Sequence, residues 1–448
     1  MVDAATTETV TVDGVADLQL SDERRDALGD ERRDAPGSER REALRDALAA
    51  FFSSRALVWA AGIVAVLVFG WEPAAVNQLD SAHLTAPFHQ SLPDMLVSPA
   101  ARWDSAWYLS VAKTGYVLPT QTVFFPLYPG LMALGGALVG QDLNVVAGIV
   151  ISFACGIGAL YLLHRLVSLE LGKTLAHNTV WIFAWLPVAL VLSAVYPEAL
   201  FLLLTIGSFY AARRGRWALA GVAGGLAAAT RNGGVLLLVP LLILYLYGPR
   251  TDREPERPAA GLQPRYRPRP DLLWVALVPV GLLAYMGFLQ FTTGQPLDPF
   301  MHQQHWGRHF IPLGGIPLGV WSFGKALVAA IPGLDPSLAA NTSVSGQLRH
   351  VEEFGFLVLG MWLLHHCWRR LPFAYTAFAA ISLAMAVSVP THSDPLKSLP
   401  RFTLVMFPLW IALALWATER GRVRQVIAIS APLLAATTLL FVTWNWPP

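Results

Sequence analysis

Apolar stretches recur along most of this 448-residue chain and are separated by polar or proline-rich breaks. A straight helix that crosses a bilayer needs about 20 apolar residues, and several of these stretches approach that length while others are shorter. The pattern predicts about eleven transmembrane helices. The stretches lie near residues 55–71, 143–163, 178–196, 197–212, 216–230, 233–247, 272–291, 354–368, 373–390, 402–417 and 424–442.

The composition supports a membrane protein. Hydrophobic residues make up 54% of the chain and charged residues 14%, which is too apolar for an ordinary soluble domain. The 16 tryptophans and 11 tyrosines suit the two interfaces of a bilayer. Only Cys155 and Cys367 carry thiols, and each lies inside an apolar stretch, so we expect neither a disulfide framework nor a thiolate metal site. Residues 51–448 are therefore predicted to form one all-α polytopic membrane domain.

Residues 1–50 have a different character. Charged runs that begin at Glu23, Glu31 and Glu39 repeat with few bulky side chains between them. Such a segment has too little apolar surface to form a core, so we predict a disordered, charged cytoplasmic tail in which residues 41–50 are the most prone to form a helix. Because the first apolar stretch begins only near Phe51, no cleaved signal peptide is expected.

The distribution of arginines predicts the orientation. Alternate connections carry clusters of arginine and lysine at 165–173, 213–216, 250–269, 369–370 and 420–424, and these mark the cytoplasmic side by the positive-inside rule. The N-terminus is then cytoplasmic in a multi-pass protein of the cell membrane. The connections predicted to face outward contain most of the remaining polar residues, at 102–104, 196–198, 230–232, 303–308 and 398–401.

Asp104 is the first candidate for a catalytic group. It lies between Trp103 and Trp107, and partial desolvation of a carboxylate there would raise its proton affinity and suit a general base. The alternative is that Arg102 and Asp104 pair or cap a helix start while the aromatic residues form an interfacial belt.

Three further ionisable residues lie at the outward ends of apolar stretches. Glu198 could contribute to substrate binding, or it could stabilise a helix N-terminus through the helix dipole. Arg231 could bind a phosphate or pair with a carboxylate such as Glu198. Arg401 opens a helix, where a cation opposes the dipole, so a phosphate is expected nearby; snorkelling to phospholipid is the alternative.

The densest polar cluster spans residues 302–309. His302, His305 and His309 would share one helix face, but Asp298 is the only accompanying carboxylate at ligand spacing, so a zinc site is not favoured. Hydrogen bonds to sugar hydroxyls or phosphate fit this composition better. The candidate substrate-binding residues here are Gln304, His305, Trp306 and Arg308.

Read in order, these segments resemble the PIG-V family of GPI mannosyltransferase II and its bacterial relatives, within the GT-C superfamily of membrane glycosyltransferases. The resemblance covers about residues 50–420. It rests on Arg102-Trp103-Asp104, Phe125-Pro126-Leu127-Tyr128-Pro129, Tyr196-Pro197-Glu198, Thr230-Arg231-Asn232, Gln304-His305-Trp306-Gly307-Arg308 and Pro400-Arg401-Phe402. One departure is Asn232, where relatives often have proline; another is the short, proline-rich loop at 251–270.

The resemblance implies a GT-C-type fold in which the first outward loop carries the catalytic acid, here Asp104. It implies transfer of mannose, with inversion, from a polyprenyl-phosphate donor to an extracytoplasmic lipid or glycan acceptor. Arg102, Trp103, Glu198 and the residues of the 302–309 cluster would bind substrate, while Arg401 with Arg308 or Arg231 would stabilise the leaving phosphate. No cofactor, metal or nucleic acid is expected, and membrane lipids are the surroundings.

Two alternatives stay open at this point. One is a transporter or flippase of lipid-linked sugars, although transporters usually have repeated halves and charges near the midplane, whereas the polar residues here gather on one side. The other is a GT-C enzyme that uses another sugar or a protein acceptor.

Overall fold

The computed structural model describes residues 36–70, 80–89, 91–140, 143–258, 263–331 and 343–445. These residues are almost entirely helical, and the only β-type pairing among them is an isolated antiparallel bridge between Arg308 and Thr391. The predicted all-α fold is therefore confirmed. The chain divides between Arg45 and Asp46, and the cavity described below lies in the second part.

The helices are numbered here in chain order. The first eight are α1 Pro36–Phe69, α2 Leu92–Val97, α3 Asp104–Thr114, α4 Leu127–Val139, α5 Asn144–Leu171, α6 Lys173–Ala184, α7 Glu198–Arg213 and α8 Trp217–Thr230. The other nine are α9 Leu238–Tyr247, α10 Leu277–Thr292, α11 Asp298–Met301, α12 Gly315–Ala330, α13 Val344–Arg370, α14 Phe373–Val387, α15 Leu399–Leu404, α16 Phe407–Glu419 and α17 Val423–Val442. Short 3₁₀ segments precede α9 and α10 at Asn232–Leu237 and Pro270–Ala276.

Several helices have the length and composition of membrane spans. Within the described residues, four are long and apolar enough to cross a bilayer: Gly37–Phe69, Asn144–Leu171, Pro270–Thr292 and Val423–Val442. Six further apolar helices are shorter, at 10–17 residues. A membrane-embedded protein follows from these helices, while the number of eleven crossings stays a prediction.

The structure corrects the sequence reading at three places. The stretch predicted at 178–196 is not one helix, because α6 ends at Ala184 and a 3₁₀ turn follows at Ala189–Leu192. Pro187 lacks the backbone N–H that would continue the helix. Among the apolar helices of 10–17 residues, α4 and α12 lie outside the predicted stretches; each has a proline near its N-terminus, where proline is tolerated.

The predicted boundary of the tail also falls differently. Residues 1–35 lie outside the described residues. Residues 36–50 belong to α1, which continues without a break into the first apolar stretch. The helix therefore begins ahead of the residues 41–50 that the sequence marks as helix-prone.

Small residues allow close helix packing in the middle of the chain. Gly221 and Gly225 on α8 face the segment that contains α10, and a Cβ at either would lie within 2.7 Å of a backbone oxygen there. Gly281 on α10 meets the Gly225 carbonyl in the same way. The spacing of Gly221 and Gly225 is the small-xxx-small arrangement that membrane helices use for backbone approach. This contact fixes the end of α8, and with it Arg231.

Candidate active site

The five polar segments predicted to face outward come together around one cavity of about 330 Å³. Its charged lining comes from the first turns of α3 and α7, the C-terminal end of α8, the segment that follows the 3₁₀ turn His302–Trp306, and α15 with its preceding loop. The charged residues are Asp104, Glu198, Arg231, Arg308, Lys397 and Arg401.

Asp104 is held in place by its backbone. Trp103, which precedes it, has a left-handed φ of 56°, a conformation that costs a bulky residue roughly 1–3 kcal/mol. The Trp103 indole donates to the Phe441 carbonyl (3.2 Å), and the Asp104 N–H donates to the Tyr196 hydroxyl (3.1 Å). These contacts keep the Asp104 carboxylate at the N-terminus of α3, where its side chain is about one-third exposed to the cavity (32%).

Arg401 lies at the centre of the site. Its Nη1 donates to Asp104 Oδ2 at 2.6 Å, and its Nε lies 3.5 Å from Glu198 Oε1. The position of Arg401 at a helix start predicts a phosphate nearby; in the structure its guanidinium also contacts both carboxylates of the cavity. Asp104 Oδ1 accepts no hydrogen bond from any described residue. One carboxylate oxygen is thus held by Arg401, and the other is bonded by no described residue.

Glu198 is almost fully buried at the start of α7 (1% exposed). Its Oε1 accepts a hydrogen bond from Arg231, the internal pairing that the sequence left open. Its Oε2 has no partner among the described atoms, although a buried carboxylate oxygen normally has one. The helix dipole of α7 favours a negative charge at this position, so Glu198 has a structural role as well as a place in the cavity lining.

Phe402 is surrounded by three guanidinium groups. The guanidinium carbons of Arg231, Arg308 and Arg401 lie 5.3–5.4 Å from its ring centroid. Cation–π attraction offsets part of the repulsion between these like charges. The ring therefore allows three arginines to line one small cavity.

Arg308 and Lys397 have no carboxylate within ion-pair distance in the part of the chain that the structure describes. Arg308 instead donates to the carbonyls of Val389 (3.3 Å) and Lys397 (3.2 Å). Burial and the nearby Arg401 lower the pKa of Arg308 to about 10, and burial and Arg308 lower the pKa of Lys397. The described lining thus holds four cationic and two anionic side chains. The cavity favours an anion.

An aromatic wall closes one side of the cavity. Trp107 stacks on Phe124 at 5.8 Å, and Trp306 meets Trp107 edge-on at 5.2 Å. The buried Nε1 of Trp306 has no hydrogen-bond acceptor among the described atoms. This wall offers flat apolar faces and one N–H donor, a combination that suits a sugar ring with its hydroxyls.

Other candidates lie elsewhere. Arg102 is buried away from the cavity, with Nε on the Val442 carbonyl (3.1 Å) and Nη1 on the Ala101 carbonyl (2.7 Å). It fastens the loop before α3 to the end of α17. Gln304 and His305 are exposed and do not line the cavity, and His302 faces Asp298 at 3.6 Å.

Lys397 lines the cavity but is not among the residues predicted from the sequence, and Ser398 and Phe402 enter there only as neighbours of Pro400 and Arg401. Lys397 lies just before the segment that was considered, and Ser398 adopts a left-handed φ of 68° that orients α15. The only sequence signal was their position beside Pro400 and Arg401.

Comparisons with known proteins agree with the resemblance drawn from the sequence. The family model described as Mannosyltransferase (PIG-V) matches residues 51–239. The chain is 29% identical to the GPI alpha-1,6-mannosyltransferase 2 of Cricetulus griseus over 32% of this chain and 31% of that protein. It is 28% identical to the GPI mannosyltransferase 2 of Yarrowia lipolytica, over 31% of this chain and 39% of that protein. The chain is PIG-V-like over this region.

The matches are partial. The chain spans about a third of the length of the GPI mannosyltransferases that it resembles. It is also 30% identical to an apolipoprotein N-acyltransferase of Gloeobacter violaceus, over 50% of this chain and 38% of that protein. No solved structure matches it.

Proposed function

We propose that this protein is a membrane mannosyltransferase that transfers a mannosyl residue from a polyprenyl-phosphate donor to an extracytoplasmic lipid or glycan acceptor, with inversion. The observation that carries the proposal is the cavity in which Asp104, oriented by Arg401, faces an excess of cationic side chains. The similarity to PIG-V mannosyltransferases supports the choice of sugar.

In this proposal the donor phosphate binds on the side of the cavity that Arg308 and Lys397 line. Arg308 and Lys397 have no carboxylate partners, so they have charge to offer to a phosphate, and the fork of Arg308 can bind two of its oxygens. Arg231 and Arg401 are occupied by Glu198 and Asp104. This division differs from the sequence expectation, in which Arg401 met the phosphate directly.

Asp104 is the proposed general base. It takes the proton from an acceptor hydroxyl while that oxygen forms a bond to the anomeric carbon, and the bond from this carbon to the phosphate oxygen breaks. Polyprenyl phosphate leaves with the electron pair of the broken bond. Arg308 and Lys397 then stabilise the negative charge that develops on the leaving phosphate, which is where fixed cations in a desolvated site contribute most.

The aromatic wall provides the place for the mannose ring between base and phosphate. Trp107 and Phe124 present apolar surface, and Trp306 Nε1 can donate to a sugar hydroxyl. Gln303, which lines the cavity beside Trp306, is a further hydrogen-bonding side chain.

Acyl transfer is the second candidate, because of the similarity to an apolipoprotein N-acyltransferase. An acyl-enzyme mechanism needs a nucleophile beside a base. Neither Cys155 nor Cys367 lines the cavity, so a cysteine acyl-enzyme is not favoured. The excess of cationic side chains in the cavity suits a phosphate-bearing donor, which favours transfer of a glycosyl group.

The decisive experiment is transfer from radiolabelled polyprenyl-phosphate mannose in membranes that contain the native chain or Asp104→Asn at equal expression. We expect native transfer and a loss of at least about 10²-fold in the variant, the usual contribution of a general base. Asp252→Asn is the matched control, because Asp252 also pairs with an arginine (Arg250, 2.5 Å) at similar exposure but outside the cavity. Full activity of Asp104→Asn would refute the base, and no transfer by the native chain would refute the donor.

A further inference from the structure

A second group of ionisable side chains lies next to the cavity but does not line it. His350 and Glu353 are on α13, and Asp394 is in the loop between α14 and α15. One ligand atom from each lies within 4.8 Å of the others. His350 and Glu353 are three residues apart on a helix, so their side chains share a face. The helix and the loop thus bring one imidazole and two carboxylates together.

The two carboxylates are buried and incompletely bonded. Glu353 is 3% exposed and Asp394 6% exposed. Glu353 Oε2 and Asp394 Oδ1 have no hydrogen-bond partner among the described atoms. Arg349 lies 3.4 Å from the other oxygen of Asp394, Oδ2, and His350 Nδ1 lies 3.5 Å from Oδ1, too far for a well-formed hydrogen bond. Two adjacent buried carboxylates require either a cation or a shared proton to be stable.

We propose that His350, Glu353 and Asp394 bind one divalent cation, Zn²⁺ or Mn²⁺. One imidazole nitrogen with two carboxylate oxygens is a donor set that these ions accept, and three protein ligands leave room for water. Donor atoms around such an ion are roughly 3–4 Å apart, since each bond is about 2.0–2.2 Å. The three side chains therefore need only a small inward movement. The charge of the ion balances the two carboxylates.

The position of the site gives the ion a structural role in the cavity wall. The Lys397 N–H donates to the Asp394 carbonyl (3.0 Å), and Arg308 donates to the Lys397 carbonyl (3.2 Å). Thr391, whose hydroxyl donates to the Asp394 carbonyl (2.6 Å), also forms the bridge to Arg308. An ion held by Asp394 and α13 thus fixes the loop that carries Lys397 and that Arg308 contacts through the Lys397 carbonyl and Thr391.

The test is direct binding by the full chain purified in detergent. The protein is stripped with EDTA, equilibrated with Zn²⁺ or Mn²⁺ alone, and its metal content and melting temperature are measured. We expect one ion per chain and a rise in melting temperature that EDTA reverses. His350→Ala, Glu353→Gln and Asp394→Asn should each weaken binding by at least about tenfold. Glu352→Gln, one position along the same helix, should bind as the native chain does.

The competing arrangement is a proton shared by Glu353 and Asp394. In that case Glu353→Gln, which mimics a protonated carboxyl group, would leave the melting temperature unchanged, and neither added metal nor EDTA would shift that of the native chain. Binding that persists unchanged in all three ligand variants would also overturn the site. None of these measurements depends on sugar transfer, so their result is independent of the proposed function.

Discussion

Two buried arginine–glutamate clusters in this protein differ in how completely their charges are matched. In the first, Glu170 Oε1 accepts from Arg213 Nε and from the Tyr375 hydroxyl (2.7 Å), while Oε2 accepts from Arg213 Nη2 (3.1 Å). One cation meets one anion, and both carboxylate oxygens are bonded. In the cavity, by contrast, cations outnumber carboxylates, and Glu198 Oε2 and Arg401 Nε lack hydrogen bonds among the described atoms.

The difference lies in the balance of charge and in the carboxylates. A buried pair tolerates desolvation best when its geometry is good and its hydrogen bonds are made. Both oxygens of Glu170 are bonded, although Arg213 Nη1 has no partner among the described atoms. Excess charge and unbonded carboxylate oxygens are costly unless a ligand supplies the missing partners. The cavity, with its surplus of cations, therefore suits an anionic ligand better than the Glu170 cluster does.

The substitution with the largest expected effect removes the arginine of the cavity, and its control removes the arginine of the Glu170 cluster. Arg401→Gln should lower the rate of mannosyl transfer by roughly 10²–10³-fold, because Asp104 loses the group that orients it and the cavity loses a fixed cation. The melting temperature should change little, since Glu198 keeps Arg231. The mannosyl-transfer rate and the melting temperature of the purified variant are each measured against those of the native protein.

Arg213→Gln is the matched control. It leaves Glu170 buried without its cation, so we expect a loss of about 3–5 kcal/mol in the free energy of unfolding. The protein that stays folded should transfer mannose at the native rate. If Arg401→Gln instead unfolds the chain while transfer per folded molecule is retained, the two clusters have the same role and the contrast is wrong.

The sequence predicted the cavity better than it predicted the helices. Asp104, Glu198, Arg231, Arg308 and Arg401 stand out because an ionisable residue among apolar ones needs a reason to be there. The positive-inside rule predicts that their segments lie on the same side of the membrane, and in the structure these segments line one cavity. The ion pair between Arg231 and Glu198, one of the alternatives for Arg231, is present in the structure.

What the sequence missed depends on contacts between distant residues. Arg102 adjoins Asp104 in sequence, yet it bonds a carbonyl 340 residues away, and periodicity gives no sign of this. Arg213 was read only as a marker of topology because its partner Glu170 is on another helix. Asp394 lies in a loop far along the chain from His350 and Glu353, so the three could not be grouped before the fold was known.

An intermediate effect is expected at Arg308, the cavity arginine without a carboxylate partner. Arg308→Gln should lower kcat/KM for polyprenyl-phosphate mannose by at least about tenfold, because it removes a charge-assisted contact to the phosphate before and during its departure. It should also weaken inhibition by the product, polyprenyl phosphate, by about tenfold. Unchanged kcat/KM and unchanged product inhibition would place the phosphate elsewhere.

The smallest effect compares the tyrosine of each cluster. Tyr375→Phe removes one of three hydrogen bonds to Glu170 and should reduce the free energy of unfolding by about 1.5 kcal/mol while transfer is unchanged. Tyr196→Phe removes a hydroxyl that accepts from the Asp104 N–H (3.1 Å) and donates to the Arg102 carbonyl (3.3 Å). Its effect on stability should be similar, but kcat should also fall several-fold, because the Asp104 backbone is less firmly held. Denaturant titration and transfer assays on both variants separate the two roles, and equal kcat values in them would show that Tyr196 only packs the fold.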